Sequence, residues 1–208
     1  MRVIAGSARR TPLAAPKGHS TRPTADRVKE SLFNILAPHV PGARFLDLFC
    51  GSGAIGIEAL SRGASEVVFA DNSRDAISAL AANLERTRLS GRVMLMNALA
   101  AVSALEQEGR GFDIIFLDPP YGQGLLSQTL IALGESDILL PGCIVVAECD
   151  KNESAPDAGK LELHDTREYG GTRLLFYQLG HGCRKRPGPR FGHSVKGYSA
   201  LDLPGFCQ

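Results

Sequence analysis

Residues 45–63 read FLDLFCGSGAIGIEALSRG, and the pattern changes twice along them. An apolar run of Phe45, Leu46, Leu48 and Phe49 gives way to Gly51 and Gly53, and these to a helical spacing of Ile55, Ile57, Ala59 and Leu60. The sequence is therefore that of a buried strand, a tight turn and a helix. Glycine has no Cβ, so the turn can take uncommon dihedrals and a ligand can lie against its backbone. The first N–H groups of the new helix point at that ligand. A nucleotide-like cofactor suits such an elbow, and the bland alternative is a turn that only packs the helix on the sheet.

Two cofactors compete for it. Gly51, Gly53 and Gly56 satisfy GxGxxG, and Asp71 ends the next strand where a dinucleotide-binding unit keeps its ribose-binding acid, which leaves NAD as one reading. Asp47, just before the glycines in DLFCGSG, favours another. This form of the loop resembles that of S-adenosylmethionine-dependent methyltransferases, whose cofactor lacks a pyrophosphate and brings an ammonium for an acid to face. Downstream, residues 112–117 (FDIIFL) read as a buried strand that runs into Asp118, Pro119, Pro120 and Tyr121. In an open α/β sheet ligands sit outside the carboxyl ends of the strands near the switch point, which places this turn across the crevice from the glycines. DPPY resembles motif IV of methyltransferases that modify exocyclic amines, and with it the reading turns to S-adenosylmethionine.

The resemblance implies a Rossmann-like class I methyltransferase: an α/β fold with a mostly parallel seven-stranded sheet, a C-terminal antiparallel hairpin, and a small N-terminal β-hairpin plus helix. It implies a cofactor site made of Asp47, Phe49, Cys50, Gly51, Ser52 and Gly53, with Asp71 and Asn72 at the ribose, Asn97 and Ala98 at the adenine, and Asp118 beside the methyl group. Capping of the following helix competes for Asp71 and Ser73. Asp118, Pro119, Pro120 and Tyr121 form the expected catalytic turn. Asp118 and the Pro119 carbonyl would accept the hydrogens of the target amine, two prolines offer no N–H, and Tyr121 would stack on the base.

At 44% hydrophobic and 22% charged residues, the chain has the composition of an ordinary globular domain. No apolar run approaches the roughly 18 residues of a membrane span. The five cysteines show no CxxC spacing and the five histidines no ligand spacing, so reduced thiols, a cytoplasmic location and no metal are expected. Net charge is +1, unevenly spread. Residues 1–29 hold Arg2, Arg9, Arg10, Lys17, Arg22, Arg27 and Lys29 against the single acid Asp26, and 181–208 hold five cations against Asp202. The body between them is acidic. Basic ends on an acidic body suit a polyanion such as RNA.

The start of the chain carries a sharper resemblance. RVIAG followed by RPTADRVKESLFNIL resembles the opening of the RsmD family, bacterial methyltransferases of guanine N2 in small-subunit (16S) ribosomal RNA. Arg2, Arg9, Arg10, Arg22, Thr24, Arg27 and Lys29 are the expected RNA-binding residues, with an assembling small subunit as partner and the enzyme a monomer. Residues 1–40 form a hairpin and helix, the latter capped by Thr24, 41–180 the methyltransferase domain, and 181–208 a basic tail rich in glycine and proline. Within the domain, helices are expected over 73–89, 98–108 and 125–134, and strands over 66–71, 92–96 and 143–148, followed by a hairpin of 161–169 with 172–178. Glu148 is expected in a solvated turn with Asp150 and Glu153. Adenine N6 or a protein glutamine as methyl acceptor, and a nucleic-acid-binding module with a vestigial pocket, are the rival functions.

Overall fold

The computed structural model describes residues 1–15, 23–120, 122–153 and 156–180, and of 23–25 the backbone alone. Arg22, Tyr121 and the tail 181–208 lie outside the described residues, as does the Thr24 side chain. Helix α1 (Pro23–Ile35) comes first. It begins with proline, whose fixed φ and missing N–H suit a first helical position, so Thr24 lies inside the first turn rather than at the cap. Then β1 (Arg44–Leu48), α2 (Ala54–Ser61), β2 (Glu66–Asp71), α3 (Arg74–Thr87), β3 (Arg92–Leu95), α4 (Ala98–Gln107), β4 (Phe112–Leu117), α5 (Leu125–Glu135) and β5 (Leu139–Asp150) alternate, before β6 (Leu161–Tyr169) and β7 (Thr172–Leu179) close the sheet.

The sheet has seven strands in the order β3-β2-β1-β4-β5-β7-β6. The first five run parallel, and β7 is antiparallel to both β5 and β6. Because β1 is followed by β2 on one side and paired with β4 on the other, the order reverses between β1 and β4. That reversal makes the switch point.

Strand alternation sends successive side chains to opposite faces. Leu46, Leu48, Val68, Ala70, Ile115, Leu117, Val145 and Ala147 join a core with α4 and α5, while Phe45, Val67, Phe69, Ile114, Phe116, Ile144 and Val146 join one with α1, α2 and α3. Asp47, Asp118 and Glu148 follow the second set in phase. The N-terminal residues Val3, Ala8 and Leu13 are buried in that second core, so the extension is built into the layer instead of standing apart from it.

Within residues 1–15 the expected hairpin is a single bridge, Arg2 with Pro12, and a compact loop. Val3 N–H donates to the Thr11 carbonyl (2.9 Å) and Arg10 N–H to the Val3 carbonyl (2.9 Å). Gly6 closes tightly on α2, since a Cβ there would lie 1.7 Å from the Ser61 carbonyl oxygen.

The loop is held by one buried acid. Glu58, in α2 and 0% exposed, accepts the N–H groups of Ile4 (2.7 Å) and Ala5 (3.0 Å) and the Arg62 Nε–H (2.7 Å). Lys29 Nζ lies 3.6 Å from it and donates to the Arg2 carbonyl (2.6 Å). Lys29 is 2% exposed, which corrects its placement among the RNA-facing cations: its charge is spent inside the fold. Burial lowers its pKa more than Glu58 and Asp26 raise it. Removing one partner of such a pair leaves the other charge buried alone, so Glu58→Ala is expected to cost about 3–5 kcal/mol in a denaturant titration. A loss within about 0.5 kcal/mol, the size of a surface substitution, would refute the hub.

Candidate active site

The glycine elbow is wound in the left-handed region. Phe49 (φ 61°), Gly51 (φ 53°) and Gly53 (φ 77°) all take positive φ, so even the aromatic residue carries backbone strain. The three fingerprint glycines do different work. A Cβ on Gly53 would meet Leu80 Cδ1 at 2.3 Å, and one on Gly56 the Phe69 ring at 2.3 Å, so these two let α2 settle against α3 and β2. A Cβ on Gly51 would meet nothing within 4 Å. Gly51 presents bare backbone to open space, which is the cradle a ligand needs.

Three side chains hold the elbow. Asp47 Oδ2 accepts the Gly56 N–H (2.9 Å) from beneath, a carboxyl oxygen that satisfies one of the unpaired N–H groups in the first turn of α2. Asp47 is 1% exposed, so it braces the helix and does not face open space as the sequence suggested. Burial pushes its pKa up to about 8, against the Gly56 bond, and the charges of Asp118 and Asp71 add to the rise. Asp71 is half-buried; its Oδ2 accepts the Gly51 N–H (2.9 Å) and its Oδ1 the Ser73 N–H (2.8 Å). Each oxygen keeps a lone pair for a further donor. Capping of α3 falls to Ser73, which accepts the Ala76 N–H (3.3 Å).

Asn83, fully buried on α3, is the third and was not anticipated. Its Nδ2 donates to the carbonyls of Ser52 (3.0 Å) and Ala14 (2.9 Å), and its Oδ1 accepts the Ala14 N–H (2.8 Å). One amide thus ties the elbow to the N-terminal segment. The available signal was a polar residue three positions after Leu80 on the apolar side of an amphipathic helix.

Among the other predicted cofactor residues, Cys50 and Ser52 are buried and Asn72 is exposed. Burial raises the Cys50 thiol. Asn97 is exposed but caps α4, accepting the Ala100 N–H (2.9 Å), while Ala98 packs in the core.

Across the switch point, β1 and β4 pair in register from Phe45 with Ile114 to Leu48 with Leu117. The chain leaves β4 directly into Asp118, Pro119 and Pro120, one strand from the elbow. Asp118 is exposed and Pro119 buried. Surrounding protein pushes the Asp118 carboxyl up to about 6. The residue is open to solvent on one side, and water screens the effect, so the carboxylate dominates at neutral pH.

Glu148 corrects the sequence reading. It belongs to β5, which runs four residues earlier and two later than expected, and it is half-buried rather than in a solvated turn. The register of Leu117 with Ala147 sets it beside Asp118. With Pro119, Pro120 and Leu126 it lines a cavity of about 360 Å³. Burial first, and the Asp118 charge second, raise its pKa to about 8. The signal was a repeated one, an apolar strand ending in an acid, as in EVVFAD, FDIIFLD and CIVVAE.

Of the basic residues, Arg2, Arg9, Arg10 and Arg27 are exposed. The family model described as "Conserved hypothetical protein 95" matches residues 1–178. The chain is 36% identical over 179 residues to ribosomal RNA small subunit methyltransferase D of Escherichia coli K12, covering 86% of this chain and 89% of the relative. The chain belongs to the RsmD family. YlbH of Bacillus subtilis 168, named provisionally as an rRNA methyltransferase, is 41% identical over 181 residues, covering 86% and 98% of the two chains. The solved structure of yhhF from Escherichia coli, provisionally titled a methyltransferase, superposes with a TM-score of 0.76 at 35% identity, covering 86% and 97%. The RsmD-family match ends at residue 178, close to the end of β7.

Asp47 supplies a test of the elbow. Its folded pKa of about 8 stands above the ordinary 3.8, so between those values the folded chain holds a proton that the unfolded chain has released. Stability from this group is full below about pH 4 and is lost as pH rises through about 8. Asp47→Asn keeps an acceptor for the Gly56 N–H and removes the titration. Its melting temperature relative to wild type is expected to rise steadily from about pH 4 to about pH 8. A difference that stays flat across that range would remove the burial argument.

Proposed function

We propose that this protein transfers a methyl group from S-adenosylmethionine to the exocyclic N2 of a guanine in small-subunit ribosomal RNA, acting as a cytoplasmic monomer. The observation that carries the reading is the Asp118-Pro119-Pro120 turn at the end of β4, one strand from the glycine elbow at the switch point. The name of the Escherichia coli relative supports the RNA class. The elbow fits the cofactor: Gly51 offers bare backbone, and Asp71 keeps a free lone pair on each oxygen for the ribose hydroxyls.

S-adenosylmethionine, when bound, supplies an electrophilic methyl group. The chain's own residues prepare the amine, whose lone pair is otherwise delocalised into the ring. Asp118 and the Pro119 carbonyl each accept one N2 hydrogen, which localises the lone pair and aims it. Pro119 and Pro120 contribute no N–H that could compete. Asp118 takes the surplus proton on a carboxylate oxygen and releases it to the solvent on its open side. N2 lies on the minor-groove edge of a paired guanine, so the base is unpaired or flipped before reaction. Tyr121 is the stacking residue of this scheme, and exposed Arg2, Arg9, Arg10 and Arg27 meet phosphates of the RNA.

Asp118→Ala is expected to lower methyl transfer by about 100-fold or more, with calorimetric affinity for S-adenosylmethionine retained. Wild-type activity should fall with an acid limb at or somewhat below pH 6, as Asp118 takes up a proton in the free enzyme and loses an acceptor position. Mass spectrometry of nucleosides after reaction with assembling small subunits should show N2-methylguanosine. Methyladenosine or methylglutamine as sole product, or full activity in Asp118→Ala, would defeat the reading.

A further inference from the structure

Glu148 is the acid that the chemistry above leaves without a task. It ends an apolar strand, half-buried, and lines the cavity of about 360 Å³ beside Pro119 and Pro120, a size within the range of ligand pockets. Among the described residues its carboxylate makes no hydrogen bond or ion pair, although its backbone pairs with Leu174 of β7. Glu153, which lines the same cavity, is different: its Oε1 accepts the Gly122 N–H (3.1 Å). The half-buried Glu148 carboxyl keeps some contact with water, and no protein donor among the described residues meets it, which leaves it available to a ligand's N–H.

The fold aims this acid where a base edge would run. Phe116 pairs with Val146 and Leu117 with Ala147, so the next step along both strands brings Asp118 and Glu148 out on the same face of the sheet. Neighbouring strands stand about 4.7–4.9 Å apart, close enough for side chains on adjoining strand ends to converge on adjacent donors of one base. On guanine the N2 amine and N1–H are such neighbours. Adenine-like edges present a lone pair at N1 instead.

Resting on the guanine-N2 reading, we propose that the Glu148 carboxylate accepts the N1–H of the target guanine while Asp118 and Pro119 hold N2, and that it thereby selects guanine over bases with an unprotonated N1. A base with a lone pair at N1 meets the carboxylate with repulsion and leaves it unpaired. Asp118 decides where the methyl goes, and Glu148 decides which base is admitted.

The test keeps the acceptor amine and changes only its neighbours. Small-subunit RNA is assembled by ligation to carry guanosine or 2-aminopurine, which has the N2 amine but an unprotonated N1, at the nucleotide mapped by mass spectrometry. Both RNAs are offered naked and within reassembled particles at about pH 8, where the carboxylate is populated and guanine N1 still carries its proton. Wild type is expected to prefer guanosine by about 100-fold or more in kcat/KM. Glu148→Ala should lose roughly 10- to 100-fold on guanosine and, with the repulsion gone, gain on 2-aminopurine, so that the preference collapses. Glu148→Gln, nearly isosteric, should lose preference by gaining on 2-aminopurine, because its amide can donate to N1. Equilibrium binding of the two RNAs without cofactor should show the same loss of discrimination, and calorimetry with S-adenosylmethionine should show wild-type affinity in both variants. A wild-type guanosine preference in both Glu148→Ala and Glu148→Gln overturns the role of Glu148 alone. Absence of N2-methylguanosine from the wild-type reaction overturns the guanine-N2 reading and this inference with it.

Discussion

The parallel pairing of β1 with β4 is the contact on which the rest of the molecule depends. The glycine elbow and the Asp118 turn are separated in the chain by three helices and three strands, yet hydrogen-bonded register from Phe45–Ile114 to Leu48–Leu117 sets their exits side by side. The sheet reverses its order between these two strands, so no crossover helix covers the gap in front of them. A cofactor lying on the elbow and a base lying on the turn would therefore be neighbours without any loop having to close over them. Everything else in the fold keeps that gap in shape.

Much of the keeping is done by polar groups spent inside. Asp47 braces the first turn of α2 from below, Asp71 bonds the elbow at Gly51, and Asn83 holds Ser52 on one side and Ala14 on the other. Glu58 pins the N-terminal loop to α2 through two backbone N–H groups. These bonds join the segment bearing Arg2, Arg9 and Arg10 to the same helix pair that forms the elbow. The N-terminal segment and the glycine elbow are thus tied together, and Asn83 gives Ser52 a direct hydrogen-bonded route to Ala14.

The electrostatic layout follows from this economy. Asp47, Asp71, Asp118 and Glu148 lie near the carboxyl ends of the strands, and mutual repulsion with burial raises the pKa values of Asp47 and Glu148. At neutral pH Asp47 and Glu148 are thereby mostly uncharged, and the Asp118 carboxylate carries negative charge on this floor. Exposed arginines on the N-terminal segment and α1 supply the opposite charge at a distance from it. Under the proposed function, phosphates meet these arginines and a base edge rich in donors meets the acids.

The sequence by itself determined the alternation of strand and helix, the glycine elbow, the terminal hairpin of 161–169 with 172–178, which the structure extends by one residue, and the candidate turn at Asp118, because these rest on local periodicity and on residues with unusual backbone freedom. Tertiary structure alone decided which polar residues face inward. Lys29 and Arg27 are two positions apart on one helix and look alike as cations, yet one is sealed against Glu58 and the other open to solvent. Asp47 and Asp71 both read as ligand acids, and packing put one beneath the elbow and left the other half-exposed at its side. Glu148 looked like surface because charged residues follow it, and only pairing with β4 and β7 carried the strand through it and beside Asp118. Burial of a charge depends on what the rest of the chain brings against it, and no local pattern encodes that.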